Sequence, residues 1–492
     1  MTTDLNTPAD EPEPRDHAAT TAAEADAGTG TTGTTGSTGT TSGTASATTE
    51  ATHSATETAS AAATGAAQPG SSAARPIKGA PVAPGAVAAI DPRLLVRERG
   101  FKGYLQEFGR KLRGGELGSV PVVVGLAIIW AVFQWKDSAF LSPKNLSDLS
   151  IYIVGTGMIS VGIVLVLLLG EIDLSVGSVS GLAAAILAVL YVNEGMSEWL
   201  AILIALSAGA AAGALHGFFF ARIGVPAFVV TLAGLLAWNG LMLQVLGTTG
   251  TINLDRDSFI VYLTSHYFVY IAVAYGVAGL AVASFLAAQL LDARRRQAAG
   301  VPSRPLSEIL VRTAVLAVLA FAVAWRLNEY KGLPLALLIF LVVLIAYDVL
   351  LRRTRFGRKV FAVGGGVEAA RRAGINVTLV RITVFAISGL MASVGGLFIA
   401  SRIAAANQGA GTGNLLMEAI AAAVIGGTSL FGGRGSVWSA LLGMLVIGSI
   451  ASGMALLGIE ASVQYMITGG VLLAAVVIDS VSRRTQRSAG RG

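Results

Sequence analysis

The chain has 492 residues, 53% hydrophobic and only 13% charged, whereas soluble domains carry about one quarter charged residues. That balance argues against a water-soluble fold, and the absence of cysteine removes disulfide frameworks, thiol nucleophiles and Cys-based metal sites. The net charge of +6 comes from Lys and Arg in short loops between apolar runs, which is a pattern of membrane topology and excludes a nucleic-acid face as its explanation.

Residues 1–89 are dominated by Ala, Thr, Gly and Ser. They bury too little apolar surface to offset the entropy of ordering, so a disordered tail is expected, and it has no charged-then-apolar secretory signal. Residues 90–118 interleave Arg93, Arg97, Arg99, Lys102, Arg110, Lys111 and Arg113 with Leu94, Phe101, Tyr104 and Phe108. Such a segment suits either an amphipathic helix on anionic headgroups or a plain basic flank to a membrane domain.

From residue 119 to 482 the chain is a succession of apolar runs. A spanning helix needs about 20 apolar residues, and twelve segments qualify as candidates: 120–135, 149–169, 176–192, 199–220, 227–246, 267–291, 310–325, 333–351, 379–401, 415–427, 437–457 and 465–481. The expected fold is therefore all-α, a polytopic membrane helical bundle of about 10–12 transmembrane helices. The stretches 310–325 and 415–427 are short enough to be half-helices or re-entrant pieces. A basic tail over 483–492 closes the chain.

Lys and Arg are retained on the cytoplasmic side during insertion. The rich loops are the segment before 120, Arg294 to Arg304, Arg352 to Arg372, and the tail from Arg483. With twelve crossings all four fall on one side, while Asn193–Glu198 and Gly458–Gln464 carry acids and no bases. Both termini are expected to be cytoplasmic.

The most informative loop runs from Phe356 to Val377 (FGRKVFAVGGGVEAARRAGINV). Its centre is glycine-rich and then strongly helix-favouring, which predicts a short helix over Val367–Ala373 stopped by Gly374. Glu368-Ala369-Ala370, three residues, then Gly374 resembles the Glu-Ala-Ala…Gly loop of bacterial ABC importer permeases. Three further segments resemble the ribose- and xylose-type monosaccharide members: Gly170–Gly177 (GEIDLSVG), Gly224–Leu232 (GVPAFVVTL) and Ile425–Ser436 (IGGTSLFGGRGS). The extra apolar stretch between Leu291 and Leu333 looks more like the xylose type.

The resemblance implies that Gly365, Glu368, Ala369, Ala370, Arg371 and Gly374 form a coupling helix seated in a separate ABC ATPase subunit. It further implies an extracytoplasmic sugar-binding protein, a permease homodimer, a location in the bacterial cell membrane and no cofactor on this chain. One departure is Glu171, where the family often has a second glycine.

Superposing Gly170 on Gly426 also aligns Leu174 with Leu430 and Gly177 with Gly433. This reads either as a trace of an internal repeat or as ordinary glycine-mediated packing. Gly170, Asp173, Gly177, Gly426 and Gly433 are accordingly candidate turn residues. Sugar passage needs hydroxyl-compatible groups in the bundle, and Thr231, Asn239, Gln244, Asn407 and Gln408 are the candidates, with Thr156, Ser160 and Ser388 behind them. Each also fits the blander role of tying two helices together.

No Gly-x-x-x-x-Gly-Lys-[Ser/Thr] phosphate loop occurs, so a usual ATP cradle is excluded and an enzymatic role is not expected. His17, His53, His216 and His266 are scattered and make no metal constellation. An ion-coupled secondary transporter would need charges well inside the spans. The chain has few, and its best candidates, Glu171 and Asp173, fall at a predicted boundary. A membrane anchor or channel using the long tail is the remaining alternative.

Overall fold

The computed structural model describes residues 120–301 and 303–488. The expected tail over 1–89 and the basic segment over 90–118 lie outside the described residues. Fifteen numbered α-helices account for nearly all of the rest. They are α1 (Val120–Lys136), α2 (Pro143–Leu168), α3 (Val176–Ala188, prolonged by a π-turn to Asn193), α4 (Glu198–Phe218, prolonged likewise to Ile223) and α5 (Ala227–Leu246). After α6 (Phe259–Ser265) come α7 (Ile271–Ala298), α8 (Leu306–Asn328), α9 (Leu335–Arg353), α10 (Arg355–Gly365) and α11 (Val367–Arg372). The last four are α12 (Val377–Ile403), α13 (Leu415–Ile425), α14 (Trp438–Leu456) and α15 (Ala461–Ser488).

Among the described residues nine helices are long and apolar enough to cross a membrane: α2, α3, α4, α5, α7, α8, α9, α12 and α14. Three shorter apolar stretches, in α1, α13 and the first half of α15, complete twelve. The chain is thus an all-α polytopic membrane bundle. The stretch anticipated as short at 310–325 is a full 23-residue helix, α8, because Leu306–Ile309 and Arg326–Asn328 extend it beyond its apolar centre. The other short segment stays short: α13 has 11 residues, about 16 Å, half a bilayer core.

Helix starts are set by local chemistry. Pro143 occupies the first turn of α2, and the Ser142 hydroxyl accepts from Asn145 N at 3.3 Å; Asn376 caps α12 by accepting from Leu379 N at 3.0 Å. Both satisfy amides that a helix leaves open at its N-terminus.

The centre of the bundle is α12 packed against α2, α3 and α4, with Met158, Leu165, Phe340 and Phe385 fully buried. Gly209 and Gly213 of α4 lie directly on Phe385 and Gly389 of α12, a close approach that only small residues permit. By contrast α7 and α8 pack mainly on each other and expose Leu280, Val318 and Leu319. Such a surface is stable against lipid and not against water. Two short antiparallel pairings tie helix ends together: β1 (Thr251–Asn253) with β4 (Ala405–Asn407), and β2 (Tyr267–Phe268) with β3 (Leu333–Pro334).

Candidate coupling loop and the junctions behind it

The loop between α9 and α12 folds as two helices at an angle. Thr354 starts α10, its hydroxyl accepting from Gly357 N at 3.2 Å. Val360 and Val363 anchor α10 in the core. The six-residue α11 follows and ends where predicted: Gly374 adopts φ +76°, a left-handed conformation that strains any side chain, while Ile375 N closes on Ala370 O at 3.0 Å. Ala370 is the buried foot of α11; Glu368, Ala369, Arg371 and Arg372 are exposed. Glu368 and Arg371 pair at 3.1 Å on that outer face. Gly365 is also exposed. The result is a small knob with mixed charge on a rigid base.

What that base rests on was not visible in the sequence. Gly364 of α10 lies so close to the Leu168 carbonyl and the Gly433 amide that a Cβ there would overlap the carbonyl. Gly433 N donates to Leu168 O at 2.9 Å, and Gly170 packs on the backbone of Phe431 and Gly432. The two glycine-rich segments that align in sequence, 169–175 and 426–437, therefore meet each other directly beneath α10. Of the five candidate turn residues, Gly170 and Gly433 share this junction. Gly177 instead packs on Gly411, and Gly426 on Ser439.

Asp173 departs from expectation. Placed at a membrane boundary by the sequence, it is 1% exposed inside the bundle. Its Oδ1 accepts from Ser175 N (3.0 Å) and Ser175 Oγ (2.6 Å), and its Oδ2 from Ser388 Oγ (3.0 Å). Ser388 is the twelfth residue of α12, about 17 Å from the start of that helix. The reason for the discrepancy is that the linker after α2 runs inward, so α3 begins at mid-height.

The network continues. Trp238 Nε1 donates to His216 Nε2 at 2.9 Å, and His216 Nδ1 stands 3.1 Å from Ser175 Oγ. An indole N–H can only donate, so Nε2 of His216 accepts and the proton of a neutral ring sits on Nδ1, directed at Ser175. The direction of donation is then Trp238 to His216 to Ser175 to Asp173, crossing α5, α4 and the linker, with α12 joining through Ser388. Every oxygen of the carboxylate has a donor, and among the described residues no group of three or more His, Cys, Asp or Glu gathers as for a metal.

Glu171, at the start of the same linker, is half-buried and faces Arg381 at 3.7 Å. Burial pushes its carboxyl above the usual carboxylate range, against the smaller opposing pull of Arg381.

The five candidate pathway residues scatter. Thr231 is buried in α5, its hydroxyl near Phe228 O (3.3 Å) and Ile172 O (3.5 Å), so it ties α5 to the Asp173 linker. Asn239 keeps a buried Oδ1 without a partner. Gln244 is exposed on α5, and Gln408 is exposed beside Gly250. Only Asn407 lines the cavity of about 410 Å3 between α2, α12, α13 and α15, where Thr156 joins it.

Sequence reasoning passed over Tyr152, Arg402, Glu418 and Gln464, which line the same cavity. Glu418 inside the 415–427 stretch, and Arg402 one residue past 379–401, were the available signal, since ionisable groups in apolar helices mark pathways.

Residues 145–476 match the family model described as branched-chain amino acid transport system / permease component. The xylose transport system permease protein XylH of Escherichia coli is 37% identical over 371 residues, covering 74% of this chain and 93% of that protein. XylH of Haemophilus influenzae is 35% identical, covering 76% and 99% respectively. The ribose import permease protein RbsC of Bacillus subtilis is 31% identical over 74% and 94%. No solved structure matches. With the match running from α2 into α15 and taking in the loop between α9 and α12 and both glycine junctions, the chain belongs to this family of multi-pass membrane permease components of transport systems.

Proposed function

We propose that this chain is the membrane permease of an ABC importer that moves a monosaccharide, of the xylose type, across the cell membrane. The observation that carries the reading is α11: a short, exposed, mixed-charge helix on a stiff seat, in a chain whose relatives are xylose and ribose permeases. A separate ATPase subunit grips this knob, and a sugar-binding protein delivers substrate at the opposite end. The knob lies on the cytoplasmic side together with both termini, following the Lys and Arg count, and two copies of the permease form the pathway.

ATP-driven closure of the ATPases pushes on α11. The push passes through Gly364 to the 169–175 and 426–437 junctions, and from there to α3 and the Asp173 network. This is a contiguous path of packed backbone with little compressible space.

Membrane vesicles containing permease, ATPase and binding protein test it. Wild type should accumulate D-xylose or D-ribose with ATP and not with a proton gradient alone. Glu368→Lys and Gly374→Pro should insert normally yet lose uptake and ATPase pull-down. Uptake of L-leucine without sugar uptake, or normal uptake by both variants, would overturn the assignment.

A further inference from the structure

The cavity between α2, α12, α13 and α15 has no part in the coupling path. It lies at the other end of the bundle: from Val377 to Phe398, where α12 begins to line the cavity, is 21 residues, about 32 Å of helix. Its volume of about 410 Å3 falls in the range of small-molecule sites, roughly 300–1,000 Å3. Its lining is unlike the apolar bundle around it.

Glu418 sits in the first turn of α13, where the helix dipole favours a carboxylate. Tyr152 Oη stands 3.5 Å from Glu418 Oε2, at the outer limit of a hydrogen bond. The Arg402 guanidinium lies over the Tyr152 ring, 5.1 Å from its centre. Among the described residues no ion pair joins Arg402 to Glu418, although both line the cavity. Amides of Asn407 and Gln464 complete the polar wall, and Tyr465 offers a ring.

A carboxylate that accepts, a guanidinium that donates, amides that do both and an aromatic face are the groups that bind a polyhydroxylated ring. Holding the two charges apart leaves them available to a ligand instead of to each other. A zwitterionic amino acid would use the two charges and could set its side chain against Ile151, Phe398, Ile399, Ile403 and Leu415, but it would leave most of the cavity's amides and hydroxyls without partners. The amides of Asn407, Asn414 and Gln464 and the hydroxyls of Thr156 and Thr412 favour neighbouring hydroxyl groups instead.

We propose that this cavity is a sugar-binding subsite of the permease itself, in which Glu418, Arg402, Asn407 and Gln464 hold the hydroxyls of a monosaccharide in transit. It rests on the importer reading and adds to it that selectivity is exercised in the membrane as well as in the binding protein.

The test uses the full complex in proteoliposomes, reading sugar uptake per ATP hydrolysed for D-xylose, D-ribose and L-leucine. Equilibrium binding of radiolabelled D-xylose to the purified permease is read alongside. Glu418→Gln and Gln464→Leu should each lower both the uptake ratio and D-xylose binding, by roughly tenfold for the charged group. Arg402→Lys should retain part of both, because it keeps the charge and loses the fork.

Wild-type ratios and binding in Glu418→Gln and Gln464→Leu alike would overturn the subsite while leaving the importer intact. Displacement of bound D-xylose by L-leucine would overturn its chemistry. Absence of ATP-dependent sugar uptake in wild type would instead overturn the importer reading. Should Glu418→Gln fail to fold, Gln464→Leu and Arg402→Lys carry the same measurement.

Discussion

Replacing Asp173 by alanine removes the acceptor for three donors at once: Ser175 N, Ser175 Oγ and Ser388 Oγ. Each buried donor left unpaired costs about 1–3 kcal/mol. Ser388 can turn its hydroxyl to a carbonyl of its own helix, so its loss is largely recovered. The Ser175 amide has no such option, and Ser175 Oγ loses the acceptor that orients it towards His216. Removing a buried carboxylate also relieves its desolvation cost, which offsets part of the loss. The net destabilisation is about 2–4 kcal/mol.

Asp173→Asn separates the contributions. It keeps one oxygen for Ser175 and turns an amide towards Ser388 Oγ, which can accept, so it should cost about 1 kcal/mol. The measurement is unfolding of the purified permease in detergent, followed by near-UV signal against denaturant, with Trp238 fluorescence as a local reporter. An alanine variant as stable as wild type, or an asparagine variant as damaged as alanine, would refute the claim that the carboxylate organises this network.

Three further outcomes concern the junction. Glu171 titrates above the usual carboxylate range because of burial, so its ionised form is the disfavoured one in the folded protein. Its contribution is present below the ordinary carboxylate pKa and is lost as pH rises through the elevated value. Glu171→Gln should therefore gain stability relative to wild type as pH rises from 4 to 7, read as thermal midpoints across that range; a difference between the two that stays constant, or moves in favour of wild type, over that range would contradict this. Gly364→Val places side-chain atoms against the Leu168 carbonyl and should cost about 1–3 kcal/mol. Gly365→Ala meets nothing within 4 Å and should leave the unfolding transition unchanged.

Much of the fold was written in the order of residues. Each of the twelve apolar stretches became a helix, because a run of some 20 apolar side chains can satisfy its backbone in lipid only as one. The Glu368 loop was equally readable: helix-favouring residues bounded by glycine fold locally, whatever surrounds them, and Gly374 stops α11 as its position demands.

Depth and partnership were settled by the tertiary structure. Hydropathy registers where an apolar run breaks, not how far inside the bundle the break lies. Asp173 therefore read as a boundary residue although the linker carries it to the level of Ser388. Sequence comparison aligned the segments at 170 and 426, yet only folding showed that they touch under α10. Of the polar residues chosen by type, Gln244 and Gln408 face outward and Thr231 ties its helix to the Asp173 linker, whereas Tyr152, Arg402 and Glu418 converge from three different helices. Composition and spacing encode what a segment does with its own backbone. Which side chains meet across 266 residues, as Tyr152 and Glu418 do, depends on how the helices pack, and that is decided by the bundle as a whole.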